Sequence, residues 1–343
     1  MTSLRIHRTQ CFSNDIIFVD GMSGTGKSVV TSLVGAMYGV EKKRIDPIFE
    51  YLTYLNWLGM LDSEPAAALQ SIYADYFTYH NAIGREVNLR LKDDSGFLNS
   101  PRKLRYLTRL LKRDGDHVVT EIESRNPGTL IASNYIAVDS RVLQLALGTR
   151  LKFIEVVRHP IHLVEYWARY LNDLNRSREF SLAFDSRSGK VPWMIRDWID
   201  TFLESSEIDR VLLLISRTQA LTLAGLSNIP DCLVVPFESL VVSPWDELNR
   251  ISSYLQRDVE RTVYRILRNN RLPRNNIGAG RATNSRSWIA EPTESDDVTY
   301  RYIFERVRGE ASPSVFAEFL VAIRTYNERW PSRLTSSHTN LAD

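Results

Sequence analysis

Between Gly21 and Ser28 the chain reads Gly-Met-Ser-Gly-Thr-Gly-Lys-Ser. This is the Gly-x-x-x-x-Gly-Lys-Ser spacing of a loop that wraps a phosphate. Glycine accepts positive φ, so Gly21, Gly24 and Gly26 let the backbone close on an anion and turn its N–H groups inward. The amides of Met22, Ser23 and Thr25 complete that cradle. Lys27 would set an ammonium on the β- and γ-phosphates of a nucleotide, and the Ser28 hydroxyl would ligate Mg²⁺. The chemistry implied is binding of a nucleotide and transfer or cleavage of its terminal group.

Such a loop works only between a strand and a helix. Residues 15–20, Asp-Ile-Ile-Phe-Val-Asp, read as a buried strand. Val29, Val30, Leu33, Val34 and Met37 then recur at helical spacing. Further short apolar runs at 129–133, 151–158 and 232–237 are separated by helical patterns. Alternation of this kind predicts an α/β fold, a three-layer P-loop architecture with a mainly parallel sheet and helical additions. The carboxyl ends of its strands should share an edge with residues 21–28. We expect one domain over 1–343, with a helical insertion at 48–112, a basic and helical extension at 261–330 and a loose tail at 332–343. Residues 175–192 read as an exposed polar insertion.

Other residues fall where that edge would be. Arg158 ends one predicted strand and is a candidate for a phosphate contact. Asp46 and Glu50 follow the first crossover, a position suited to an acceptor-binding or basic carboxylate. Asp46 is taken, with Lys27 and Arg158, as a candidate catalytic residue. Asp20, which ends the first strand, suits either loop structure or polarisation of a water or metal. Ser133 and Asn134 read as caps, and His159 and His162 as satisfied polar groups at a helix start. Arginines at 261, 265, 268, 271 and 274 line one helical face, either solvated or turned to an anion as a lid.

Composition narrows the class. The chain has 343 residues, 43% hydrophobic and 24% charged, with a formal net charge of +2. That suits a globular enzyme and gives no strong field for nucleic acid. The two cysteines, Cys11 and Cys232, imply reduced thiols and no disulfide framework. No apolar run reaches the roughly 18 residues of a membrane span. Met1–His7 lacks an apolar signal core. A cytoplasmic protein is expected, with a nucleotide and a small-molecule or glycan acceptor as partners.

Three segments resemble the PAPS-dependent sulfotransferases, a P-loop kinase-like family. Phe153–Pro160, continuing to Trp167, resembles the strand and Arg-x-Pro loop that hold the 3′-phosphate of PAPS. Val235–Pro244 resembles that family's Tyr-Glu-Asp-Leu segment and its following proline. Arg274–Arg281 is similar to its basic, Gly-containing C-terminal loop. The chain also departs from the family. The residue aligned with the catalytic Lys or Arg is Gly24, and the Ser that helps hold the 3′-phosphate is replaced by Tyr166. Lys27-Ser28 instead suits Mg-ATP or Mg-GTP. The sequence therefore implies phosphoryl transfer to a small-molecule or glycan hydroxyl, with PAPS-dependent sulfuryl transfer as the alternative and nucleotide-gated regulation as a third reading.

Overall fold

The computed structural model describes residues 6, 8, 12–85, 87–91, 96, 102–173, 180–277 and 296–331. Strand β1 (Ile16–Asp20) runs into the loop and helix α1 (Lys27–Val34). There follow β2 (Arg44–Ile45), α2 (Ile48–Trp57), α3 (Ser63–Ile83), α4 (Lys103–Arg109) and α5 (Asp116–Arg125). Next come β3 (Thr129–Ala132), α6 (Ser140–Leu147), β4 (Leu151–Val157), α7 (Val164–Asp173), β5 (Ala183–Ser186) and β6 (Gly189–Pro192). The remainder is α8 (Ile199–Glu204), α9 (Glu207–Leu226), β7 (Cys232–Pro236), α10 (Phe237–Val242), α11 (Pro244–Leu255), α12 (Val263–Asn269), α13 (Asp296–Glu310) and α14 (Pro313–Arg329).

Five strands form one parallel sheet in the order β2-β3-β1-β4-β7. The four predicted strands are neighbours in it, as expected, with the short edge strand β2 added outside β3. β1 is central and every side chain in it is buried. Helices α1, α10, α11 and α12 cover one face around Ile17, Val19, Leu33 and Val235. Helices α2, α3 and α6 cover the other around Ile16, Phe18, Phe49 and Phe153. There the Phe18 and Phe49 rings meet edge to face at 5.2 Å, a pair worth about 0.5–1.5 kcal/mol beyond the area it buries. A third core, around Trp167, Trp193, Leu212 and Phe319, joins α7, α9, α13 and α14.

Three features go beyond the sequence reading. The 175–192 insertion is structured from residue 183 on. Strands β5 and β6 pair as an antiparallel hairpin, and Val191 and Pro192 turn into the interior. Residues 174–179 lie outside the described residues. The 103–109 helix is not solvated on every side. Arg109 is buried and grips Glu41 with both terminal nitrogens, at 2.7 and 2.8 Å. Removing one partner of such a pair costs about 3–5 kcal/mol, which explains an arginine on an interior face. Finally, α13 precedes the expected last helix. Its buried residues, Tyr300, Phe304 and Val307, are spaced at helical intervals within a strongly polar stretch. The predicted tail from residue 332, Cys11, and residues 278–281 of the basic loop fall outside the described residues.

Among the described residues no helix is long and apolar enough to cross a membrane.

Candidate active site

The carboxyl end of β1 turns directly into Gly21–Gly26. Gly24 and Gly26 take φ of 92° and 93°, conformations that L side chains rarely adopt. Both are also packed without room for a methyl group. A Cβ on Gly24 would lie 2.9 Å from the Tyr166 ring, and one on Gly26 would lie 2.3 Å from the Phe237 ring. Phe237 begins α10 immediately after β7, so the far side of the sheet edge fixes the loop's shape. Gly26→Ala is therefore expected to cost about 1–3 kcal/mol and to deform the phosphate cradle. Thermal melting checks this: an unchanged Tm would show that the ring does not confine the loop.

Lys27 opens α1. Its Nζ donates to the carbonyls of Gly21 at 2.6 Å and Met22 at 2.9 Å, so the ammonium lies back across the loop. Ser28 is exposed at the next position. The Arg158 guanidinium follows β4 and reaches the loop from the other side. Its Nη1 donates to Gly24 O at 2.9 Å, and its carbon sits 4.9 Å from the centre of the Phe237 ring. Two cations from separate segments, the start of α1 and the end of β4, thus flank one glycine loop.

Beneath Lys27 lie three carboxylates. Asp20, at the end of β1, is fully buried and accepts from Ser133 Oγ at 2.9 Å and the Ala137 N–H at 3.0 Å. Burial pushes its carboxyl up, against the pull of Lys27 and these hydrogen bonds. Glu155 stands beside it in the β1–β4 register. Burial, then Asp20, holds the Glu155 carboxyl well above the usual range. Its Oε2 is buried with no hydrogen-bond partner among the described residues, and Glu155 is among the residues lining a cavity of about 20 Å³, room for one water. Burial also lowers the Lys27 ammonium, while Asp20, Glu155 and Glu50 act to raise it.

Glu50, on α2, is the third. Its Oε1 accepts from both the backbone N–H and the side-chain amide of Asn134, at 2.9 and 3.0 Å. Burial raises its pKa to about 7, with Asp20 adding to the rise and Asn134 and Lys27 opposing it. A half-buried carboxyl that titrates near neutral pH beside a phosphate loop is suited to accept a proton.

The turn between β3 and α6 ties these groups together. Ser133 and Ala137 hold Asp20, Asn134 holds Glu50, and the Tyr135 hydroxyl accepts the Ser23 N–H of the loop at 2.9 Å. A second tie joins the strands carrying the family resemblance. The buried Glu238 of α10 accepts the His159 N–H at 3.0 Å, and it also accepts the Tyr326 hydroxyl of α14.

The sequence-predicted residues are thus partly gathered. Gly21 to Ser28 and Arg158 share one edge. Asp46 is placed at the start of α2, four residues before Glu50, where its Oδ1 accepts the Ile48 N–H at 3.1 Å and its Oδ2 lies 3.8 Å from Arg44. Glu50, not Asp46, faces the charges of the loop. Tyr166 covers Gly24. Arg261, Arg265 and Arg268 are exposed. Arg274 instead donates to the carbonyls of Asn270, Asn276 and Ile277. Glu155 carried a legible signal, a charged residue inside the apolar run Phe153–Val157. Tyr135 and Phe237 carried none, because their roles depend on contacts across the chain.

No family model matches the sequence, and no curated protein matches it. Similar solved structures are sulfotransferases. The sulfotransferase domain of the Synechococcus PCC 7002 olefin synthase is 12% identical, with a TM-score of 0.42, over 94% of this chain and 98% of that one. The sulfotransferase domain from the curacin biosynthetic pathway is 14% identical, with a TM-score of 0.41, over 88% and 100%. Mouse sulfotransferase SULT7A1, complexed with PAP, is 12% identical, with a TM-score of 0.37, over 95% and 88%.

Proposed function

We propose that this chain is a nucleotide-dependent group transferase whose donor is PAPS and whose acceptor is a small-molecule or glycan hydroxyl. One observation carries the choice of donor. Two of the three segments that resemble the sulfotransferases converge on the glycine loop, Arg158 through Gly24 O and Phe237 through Gly26, and Glu238 ties them together. In this reading the loop amides and Lys27 hold the 5′-phosphate and Arg158 faces the 3′-phosphate. PAPS supplies an activated sulfuryl group on a phosphate leaving group. As the bond from sulfur to the acceptor oxygen forms and the bond from sulfur to the phosphate oxygen breaks, Glu50 takes the acceptor's proton. Lys27 neutralises the charge that develops on the departing phosphate.

A second reading, phosphoryl transfer from Mg-ATP or Mg-GTP, is favoured by a different observation. The loop ends in Lys27-Ser28 and has glycine, not a cation, at position 24. The protein would offer Mg²⁺ the Ser28 hydroxyl, leaving most ligands to donor phosphates and water.

Calorimetric titration separates the two. The PAPS reading expects PAP to bind equally in EDTA and in Mg²⁺, and more tightly than ATP or GTP. Metal-dependent binding of ATP or GTP with none of PAP would replace it by the kinase reading.

A further inference from the structure

The glycine loop is hydrogen-bonded to the rest of the protein. The Ser23 N–H, at its tip, points to Tyr135 Oη at 2.9 Å instead of into the phosphate cradle. Tyr135 is held in place from all sides. It has a φ of 53°, unusual for a residue with a side chain, and it begins a short helical turn over Ile136–Asp139. Its ring meets those of Trp167 and Trp193 edge to face, at 6.2 and 6.4 Å, and is 6% exposed. The turn is anchored in its own right. Ser140 Oγ donates to Gly225 O at 2.7 Å, and α9 packs so closely that a Cβ on Gly225 would fall 1.6 Å from Ala137 O. A hydroxyl fixed this firmly does not follow the loop if the loop moves.

We propose that Tyr135 is a latch on the glycine loop: its hydroxyl accepts the Ser23 amide and competes with the donor's anionic group for it. This rests on residues 21–28 being the donor site, as in the reading above, but not on which nucleotide binds. Because the latch residue adjoins Asn134, which holds Glu50, releasing Ser23 also removes one tie between the loop and the turn that holds the base.

Tyr135→Phe keeps the ring and removes the competing acceptor. The variant should bind anions more tightly, roughly three- to tenfold, the size of one net hydrogen bond. A purely structural role would instead weaken binding. Wild type and variant are titrated in parallel with PAP, Mg-ATP and inorganic pyrophosphate, with thermal melting to verify the fold. Amide exchange of the peptide spanning 21–28 gives a readout without ligand, and it should be faster in the variant. Equal or weaker binding by a folded variant overturns the latch while leaving the donor reading intact. If wild type binds pyrophosphate but neither nucleotide, the donor reading fails and the pyrophosphate comparison still decides the latch. If wild type binds none of the three, both are overturned.

Discussion

Lys27→Ala is expected to weaken donor binding about ten- to a hundredfold, while the protein stays folded. The Nζ contacts two loop carbonyls, at 2.6 and 2.9 Å, so it is poised at the loop. Losing one charge-assisted phosphate contact costs about 1.5–3 kcal/mol, or roughly ten- to a hundredfold in affinity. Electrostatics supply a second signature. Lys27 acts to hold down the carboxyls of Asp20, Glu155 and Glu50. Without it the Glu50 carboxyl should titrate above its wild-type value of about 7. Calorimetry checks the first effect and a pH titration of Glu50 by NMR the second. Unchanged affinity in the variant would remove Lys27 from the site.

Glu50→Gln is expected to leave donor binding within a few-fold of wild type and to lower kcat by about 10²–10⁴, the range for loss of a positioned general base. The active form is the ionised carboxylate. Burial raises its pKa to about 7, so wild-type kcat/KM should fall as pH drops below about 7 and level off above it. The glutamine variant should lose that limb of the profile. Asp46→Asn, by contrast, should leave the limb in place, because Asp46 serves the Ile48 amide and Arg44 at the start of α2. If Asp46→Asn erased the limb and Glu50→Gln preserved it, the base would be Asp46.

The glycine spacing, the apolar strand before it and the helical periodicity after it are local properties, and they were enough to locate the unit of strand, glycine loop and helix. The four strands could be read for the same reason. A strand buried on both faces is a continuous apolar run, and helices between such runs require parallel crossovers. Even the position of Arg158 followed, since the carboxyl end of a parallel strand must lie at the loop's edge.

What the sequence left open was decided by contacts between distant segments. Asp46 and Glu50 are two carboxylates one helical turn apart, and nothing local ranks them. Only the approach of Asn134, 84 residues away, and the shared burial with Asp20 and Lys27 single out Glu50. The β5–β6 hairpin was hidden because its strands are short and half exposed, so they carry no apolar alternation. Helix α13 was hidden because its buried aromatics are diluted by arginines and glutamates. Tyr135 shows the limit most clearly. Its sequence neighbours describe an ordinary turn, but the tertiary structure sets its hydroxyl against the Ser23 amide 112 residues away. A hydrogen bond across that separation is fixed by packing the turn against α9, Trp167 and Trp193, and no short-range pattern encodes it.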